Sequence, residues 1–348
     1  MSGGVDSSVA AAIMIERGFQ CAGVTLSLRK GESRCSSAED INDAKEVARA
    51  LGVKHHTLDF SEVFDKQVIR RFVEAYEQGI TPNPCIDCNR RVKFNLALLD
   101  ERLARLPGME SFDFIATGHY ARITRDSASG RFLLRKAVDD KKDQSYALYC
   151  LTQRQLQRTI FPLGELSKNE TRKIAEEKKF VNAVKKESQD ICFAPDGNYG
   201  GFIEEYTGKK YPEGDIVDTE GKVVGRHRGI IRYTIGQRRG LGVAANVPIY
   251  VTAKSAVNNT VTLGPDSALF GKSLIAKDIN LVALEDLKKP TRVTVKTRYS
   301  QEAQNAVAEL IEDDTLRVDF DYPQRAITPG QAAVMYDGDI VVGGGTIL

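Results

Sequence analysis

The first eight residues, Met1-Ser2-Gly3-Gly4-Val5-Asp6-Ser7-Ser8, constrain this chain more than any other stretch. They run directly into Val9 through Glu16, an alanine-rich segment of helical propensity that Gly18 ends. Glycines let a backbone approach an anion closely, and the open N–H groups and positive end of a helix then face it. The segment reads as an anion cradle, with a Gly/Ser turn that merely caps a helix as the plainer alternative. It has no Gly-Lys-Ser/Thr ending, so it is not a Walker loop. Such a loop should follow a hydrophobic strand, yet here it opens the chain. Either the true start lies upstream or this copy has lost its first strand.

Beyond the loop, strand and helix alternate. Cys21–Leu28 reads as a buried strand, Ser36 with Glu39 fits a capping box, the next helix ends at Leu51-Gly52, and Val53–Leu58 is a second strand. Residues 61–79 place Phe64, Val68, Ile69, Phe72, Val73 and Tyr76 on one helical face, and Thr81-Pro82-Asn83-Pro84 breaks that helix. A further amphipathic helix is expected from about Asn89, with Val92, Leu96, Leu99 and Leu103 on one side. A strand over Phe112–Ala116 ends in Thr117-Gly118-His119-Tyr120, where ligands bind in open α/β sheets. That position weighs contact against simple packing for His119. Two more helix starts fit capping boxes, Thr152 with Gln155 and Ser167 with Glu170. The α/β character fades by residue 195, and Pro195–Asn198 is a turn-rich boundary. A Gly-rich, strand-like texture continues to about Lys277, and alternating strands then suggest a small β-barrel, with a hairpin turn at Asp337-Gly338. The expected division is therefore 1–195, 196–276 and 277–348.

At 348 residues the chain has room for two or three domains. No run of eighteen apolar residues or signal-peptide pattern appears, and the cytoplasm is the expected compartment. The net charge of +2 does not mark a nucleic-acid binder, but residues 221–242 hold Lys222, Arg226, Arg228, Arg232, Arg238 and Arg239 and no acid. This strip would attract a phosphate backbone, or be a solvated face. Six cysteines in a cytosolic chain point to redox, metal or catalytic chemistry rather than a disulfide framework. Cys85-Ile86-Asp87-Cys88 lies between a proline-locked loop and a helix start, with Arg90, Arg91 and Lys93 close behind. A helix N-terminus and nearby cations both favour thiolate, so Cys88 is expected to have a depressed pKa. A redox pair or half a zinc site would look the same. Cys192 stands near Lys185 and Lys186, with burial in the core as the alternative; Cys21 and Cys150 have apolar neighbours, and Cys35 sits in a polar loop.

Ser2–Ser7 resembles the SGGxDS signature of the ATP pyrophosphatases, which cleave ATP between the α- and β-phosphates to adenylate a substrate. Over essentially its whole length the chain resembles the tRNA-specific 2-thiouridylase family. The resemblance is carried by Ser2–Ser7, Thr81–Pro84, Cys88-Asn89, Lys93-Phe94, Ala116–Tyr120, Lys142–Tyr146, Ile191–Phe193, Thr234–Arg238, Lys296–Tyr299 and Thr328–Gln331. It implies an α/β, PP-loop parallel-sheet domain followed by a β-rich central domain that contacts tRNA and a C-terminal barrel. It also implies 2-thiolation of the wobble uridine in tRNAs for Lys, Glu and Gln. ATP would be held by Met1, Ser2, Gly3, Gly4, Val5, Asp6, Ser7, Leu26 and Gly118, together with magnesium. A flipped uridine would be adenylated at its C2 oxygen. Cys192 would carry a persulfide, filled by a donor such as a cysteine desulfurase or a sulfur-relay protein. Cys88 would act as the nucleophile and complete the exchange, through a transient Cys88–Cys192 disulfide. tRNA would meet Asn83, Pro84, Cys85, His119, Lys142, Asp143, Gln144, Arg298, Tyr299 and Gln331. Cys85 departs from the family pattern, where many members carry an aspartate assigned as general acid/base. With Cys88 and Cys192 it makes three thiols, enough to ligate a 4Fe–4S cluster with one iron open, and this route stands beside the persulfide one. Two other functions share parts of the pattern: an adenylating ligase or amidotransferase with the same ATP loop, and a catalytically decayed tRNA-binding protein.

Overall fold

Parallel pairing organises the N-terminal half, in two separate pieces. In the computed structural model, which describes residues 1–29, 37–107, 109, 111–185, 191–194, 197–244 and 246–348, β1 (Gly23–Ser27) lies beside β2 (His55–Asp59). β3 (Ile115–Ala116) pairs in parallel with β6 (Thr159–Ile160). Among the described residues no strand joins the two pieces. The opening loop spans them instead. The Met1 amine donates to Val24 O, Thr25 Oγ1 donates to Met1 O at 2.6 Å, and Gly118, just past β3, packs on the backbone of Asp6 and Ser7. The strand expected over Phe112–Ala116 keeps only two residues. Arg158 takes the carbonyls of Phe112 and Asp113 with its guanidinium, so a side chain replaces a strand partner there.

The helix over 61–77 buries all six residues of its expected apolar face and takes a π-helical turn at Asp65–Ile69. The helix expected from Asn89 is split. Pro84–Cys88 continues into a π-helical segment, Asn89–Lys93, which stops at Phe94; Asn95 then caps a new helix, Leu96–Leu103. Both later capping boxes form as expected. The first is Ser37 with Asp40, one residue beyond the expected pair, and Ser36 lies outside the described residues. Among the described residues no helix is long and apolar enough to cross a membrane.

A hairpin, β4 (Arg122–Arg125) and β5 (Phe132–Arg135), leaves the N-terminal half and joins the far end of the molecule. The central four-stranded sheet has the order β8-β7-β10-β9, formed by Val223–His227, Gly214–Val217, Thr260–Gly264 and Tyr250–Ser255. The last six strands are β11 (Phe270–Leu281), β12 (Thr291–Lys296), β13 (Gln304–Glu312), β14 (Thr315–Arg325), β15 (Ala332–Asp337) and β16 (Ile340–Ile347). They close into a barrel because β16 pairs with both β15 and β11; β5 adds to β16 at Ile340–Arg135. β11 runs across Lys277, the residue at which the texture of the sequence changes.

One hydrophobic core belongs to both ends of the chain. Phe94, Leu134, Tyr146, Tyr149, Leu151 and Phe161 pack with Val282, Val334, Tyr336 and Val341 of the barrel. Polar bonds fix the same seam: Tyr146 OH donates to Ala332 O at 2.9 Å, and Asn280 Nδ2 donates to Tyr149 O at 2.6 Å and Leu151 O at 3.0 Å. The barrel turn Thr328–Gln331 reaches the loop ahead of the cysteines. Thr81 N donates to Pro329 O at 3.0 Å, and Gln331 Nε2 donates to Thr81 O at 2.8 Å. Gly330, at φ +89°, permits that approach; a Cβ there would collide with Ile80 and lie 3.0 Å from the backbone of Thr81. Gly338 in the β15–β16 turn also has positive φ, +59°, but opens onto empty space. Gly330→Ala should therefore cost about 2 kcal/mol or more, and Gly338→Ala about 1 kcal/mol. Thermal denaturation of the two variants checks this, and equal losses would mean the seam yields easily.

Candidate functional site

The opening loop is held as a cradle by side chains from four places. Gly4 precedes the helix Val5–Glu16 and offers no capping side chain, so the first-turn N–H groups remain directed out of the helix end. Ser7 Oγ accepts from Ser2 N at 3.0 Å and lies 3.2 Å from Ser2 Oγ. Buried Asn182 donates to Gly3 O at 2.9 Å and to Ser8 Oγ at 3.0 Å. A Cβ at Gly118 would stand 2.6 Å from Asp6 C and Ser7 N, so only glycine lets the end of β3 seat against the loop. The Asp6 carboxylate receives the Lys168 ammonium at 2.6 Å, and the Tyr120 hydroxyl lies 3.0 Å from the same oxygen. Neither Lys168 nor Asn182 stands out in the sequence. The available signal for Lys168 is its place: a cation at the first position of a helix opposes the helix dipole and calls for a counter-charge.

The cysteines gather around Lys93. Asn83 caps the helix Pro84–Cys88 by accepting from Cys85 N at 3.1 Å, with proline at its first position. The residue at the positive end of the helix is thus Cys85, which is exposed, while Cys88 is buried four residues in. This corrects the expectation for Cys88. Burial pushes its thiol up to about 12, against an opposing pull from Lys93. The other cations are spent elsewhere, Arg91 on Asp87 at 3.1 Å and Arg90 on Asp278. Although the Cys85 side chain reaches the surface, the protein packed closely around it also raises its thiol, with Lys93 opposing. Cys192 is close enough to act electrostatically on both thiols. It is anchored by its neighbour Phe193, whose ring packs on Phe72 at 5.1 Å and Phe64 at 6.0 Å. Cys150 is buried and inert in character, its thiol also pushed up to about 12 by burial; Cys21 is half-buried, and Cys35 lies outside the described residues. Among the described residues no three His, Cys, Asp or Glu side chains are placed to hold a metal ion. The described residues thus give no support to the iron–sulfur ligand set of Cys85, Cys88 and Cys192.

His119 joins the two centres. Its Nδ1 lies 2.8 Å from Thr117 Oγ1, and its ring packs against Phe94 and Phe161. Burial first, then Lys93, holds its pKa well below the usual value, so the imidazole is neutral at pH 7.

Besides Asn83, His119 and Gln331, other residues expected at tRNA make internal bonds. Asp143 is buried and accepts from Ala137 N at 3.0 Å and Ser145 Oγ at 2.7 Å. Gln144 braces Tyr120, exchanging backbone and side-chain bonds of 2.9 Å with it. Arg298 donates to Ile235 O, Ala326 O and Thr328 Oγ1 and so ties the central sheet to the barrel; its Nε is buried with no partner among the described residues. Tyr299 from the barrel is half exposed and lies near enough to Asp143 and Cys85 to interact with both electrostatically. Of the basic strip, Arg226 pairs with Asp215 at 3.1 Å and Arg232 with Glu204 at 2.6 Å. Lys222, Arg228, Arg238 and Arg239 stay exposed.

Similarity to known proteins agrees with this layout. Residues 1–196 match the family described as tRNA methyl transferase HUP domain, 200–265 its PRC-barrel domain, and 271–347 the aminomethyltransferase beta-barrel domain. A tRNA-specific 2-thiouridylase of Acetivibrio thermocellus is 48% identical over 355 aligned residues, spanning 100% of this chain and 97% of that protein. The chain belongs to the tRNA-specific 2-thiouridylase family. The 2-thiouridylase of Clostridioides difficile is 46% identical and that of Heliobacterium modesticaldum 48%, each across this whole chain and 96% and 91% of their own lengths. The family is one of PP-loop enzymes that use ATP, with magnesium accompanying the nucleotide.

The thiol environments make a kinetic prediction. In the protein without tRNA, brief iodoacetamide treatment at pH 8 should modify exposed Cys85 before Cys88. Because the Cys88 thiol ionises far above neutrality, its rate should climb about tenfold per pH unit from pH 7 to 10 without a plateau. Peptide mass mapping checks the order, and a plateau below pH 8 would show a stabilised thiolate instead.

Proposed function

We propose that this chain replaces oxygen by sulfur at C2 of the wobble uridine in tRNAs for lysine, glutamate and glutamine, converting ATP to AMP and diphosphate. The observation that carries this reading is the adjacency at Gly118-His119. Gly118 packs against Asp6 and Ser7 of the nucleotide loop, while His119 feels Lys93, the same cation that acts on Cys85 and Cys88. An activating site and a sulfur site that adjoin across two consecutive residues suit a reaction needing both on one atom.

The uridine C2 oxygen attacks the α-phosphorus, and diphosphate leaves with the electron pair. The terminal sulfur of a Cys192 persulfide then attacks C2 and displaces AMP. Attack by Cys88 on Cys192 Sγ releases the thiouridine and leaves a Cys88–Cys192 disulfide, which an external thiol reductant resets. Cys192 is refilled by a persulfide donor. The protein supplies N–H groups for the phosphates at Gly3–Ser7, a neutral imidazole at His119 and an aromatic face at Tyr299 for an extruded base. Magnesium fits this loop: the Asp6 carboxylate is about a third exposed within the cradle and would hold the ion, which neutralises phosphate charge. The cationic residues Lys222, Arg228, Arg238 and Arg239 suit the tRNA backbone.

Nucleoside mass spectrometry of tRNA from a deletion strain tests the reading. Loss of 2-thiouridine derivatives, restored by the wild-type gene but by neither Cys88→Ser nor Cys192→Ser, is the expected result. An adenylating ligase would keep activity in Cys88→Ser, and a decayed tRNA binder would bind tRNA without releasing diphosphate. Iron and sulfide at one cluster per chain after anaerobic purification would overturn the persulfide route.

A further inference from the structure

The nucleotide loop has backbone donors but no lysine, although diphosphate leaves carrying several negative charges. The structure supplies a cation from elsewhere. Lys168 opens the helix Lys168–Glu177, and its side chain is only 10% exposed. A buried ammonium at a helix N-terminus is unfavourable on two counts, desolvation and the dipole, and it persists here through its 2.6 Å pair with Asp6. Lys168 itself lines an open recess of about 1120 Å³, together with Lys141, Lys142 and Arg172 and the acids Asp139, Asp140 and Glu170.

We propose that Lys168 is the cation that binds the diphosphate portion of ATP, and that Asp6 stores it until the nucleotide arrives. The inference rests on the proposed use of ATP at this loop. A carboxylate prefers a divalent ion to an ammonium at equal distance, because the Coulomb attraction doubles. When magnesium nucleotide enters the loop, Asp6 exchanges Lys168 for the metal, and the released ammonium turns to the phosphate oxygens. As the bond from the α-phosphorus to the bridging oxygen breaks, the electron pair goes to that oxygen, and Lys168 meets the charge it carries. Tyr120, whose hydroxyl touches the same Asp6 oxygen, keeps the carboxylate oriented through the exchange. The charge that a Walker loop keeps within its own sequence is here delivered from a helix 162 residues away.

Calorimetric titration of the full chain without tRNA tests this with magnesium diphosphate, magnesium ATP and AMP. Lys168→Met should weaken the first two by about 10- to 100-fold and leave AMP within about twofold, and Lys168→Arg should recover most of the loss. Equal affinity for magnesium diphosphate in wild type and Lys168→Met would overturn the proposal. So would an equal loss for AMP, which would mark a merely structural lysine. A second measurement needs no variant: acetic anhydride labelling of the wild-type chain should be suppressed at Lys168 by magnesium diphosphate and not by AMP, and unchanged labelling overturns the proposal. Wild-type chain that binds magnesium diphosphate yet makes no 2-thiouridine would sink the thiolation reading alone. Wild-type chain that binds no magnesium nucleotide would sink both.

Discussion

Thr81 is the residue on which the site depends. Its N–H and C=O are both taken by the barrel turn Thr328–Gln331, so the loop that leads into the cysteine helix is fixed from outside its own domain. Two hydrogen bonds of this kind, one from the backbone of Thr81 and one from the side-chain amide of Gln331, are each worth about 1 kcal/mol, modest beside the shared core of aromatic and aliphatic side chains beneath them. Their value lies in direction. They set where Pro84 begins its helix and therefore where Cys85 and Cys88 stand relative to Tyr299, which comes from the barrel itself.

The nucleotide end obeys the same logic at shorter range. Asn182, Gly118, Tyr120 and Lys168 each hold one part of a seven-residue loop, and Gln144 in turn holds Tyr120. The polar run around Asp143 thus braces the cradle on one side and reaches barrel residue Tyr336 through Ser145 on the other. Residues that a substrate would be expected to claim are also the ones that keep the substrate's two neighbours in register.

Much of this was legible in the chain. The Gly/Ser loop, two of the three capping boxes, the apolar face of residues 61–77 and the closing barrel all arise from local pattern, because each is decided by residues near one another. The environment of Cys88 was not legible. Its flanking arginines look like thiolate-stabilising cations in one dimension, and only the fold reveals that Asp87 and Asp278 already neutralise them. The break of the helix at Phe94 was hidden for a similar reason. Phe94 is consumed by the shared core with Leu134 and Tyr336, a contact between residues more than two hundred positions apart. Asp143, Arg298 and Gln331 likewise carry internal bonds that no spacing rule could have assigned.

The β4–β5 hairpin has a bearing on how the molecule comes into being. It is synthesised before residue 136, yet its edge finds a partner only at Ile340, in a strand made much later. Asp339 in the β15–β16 turn binds Arg122 and Arg135 of that hairpin at 2.8 and 2.7 Å, so this fastening also waits for the barrel. The N-terminal segments therefore remain without their seam while most of the chain is emerging. A nucleotide-binding half that assembled early would hold its thiols on a loop not yet fixed by the barrel turn and would lack Tyr299. Its completion waits for the barrel, so the site takes its full form only once that distant domain has folded against it.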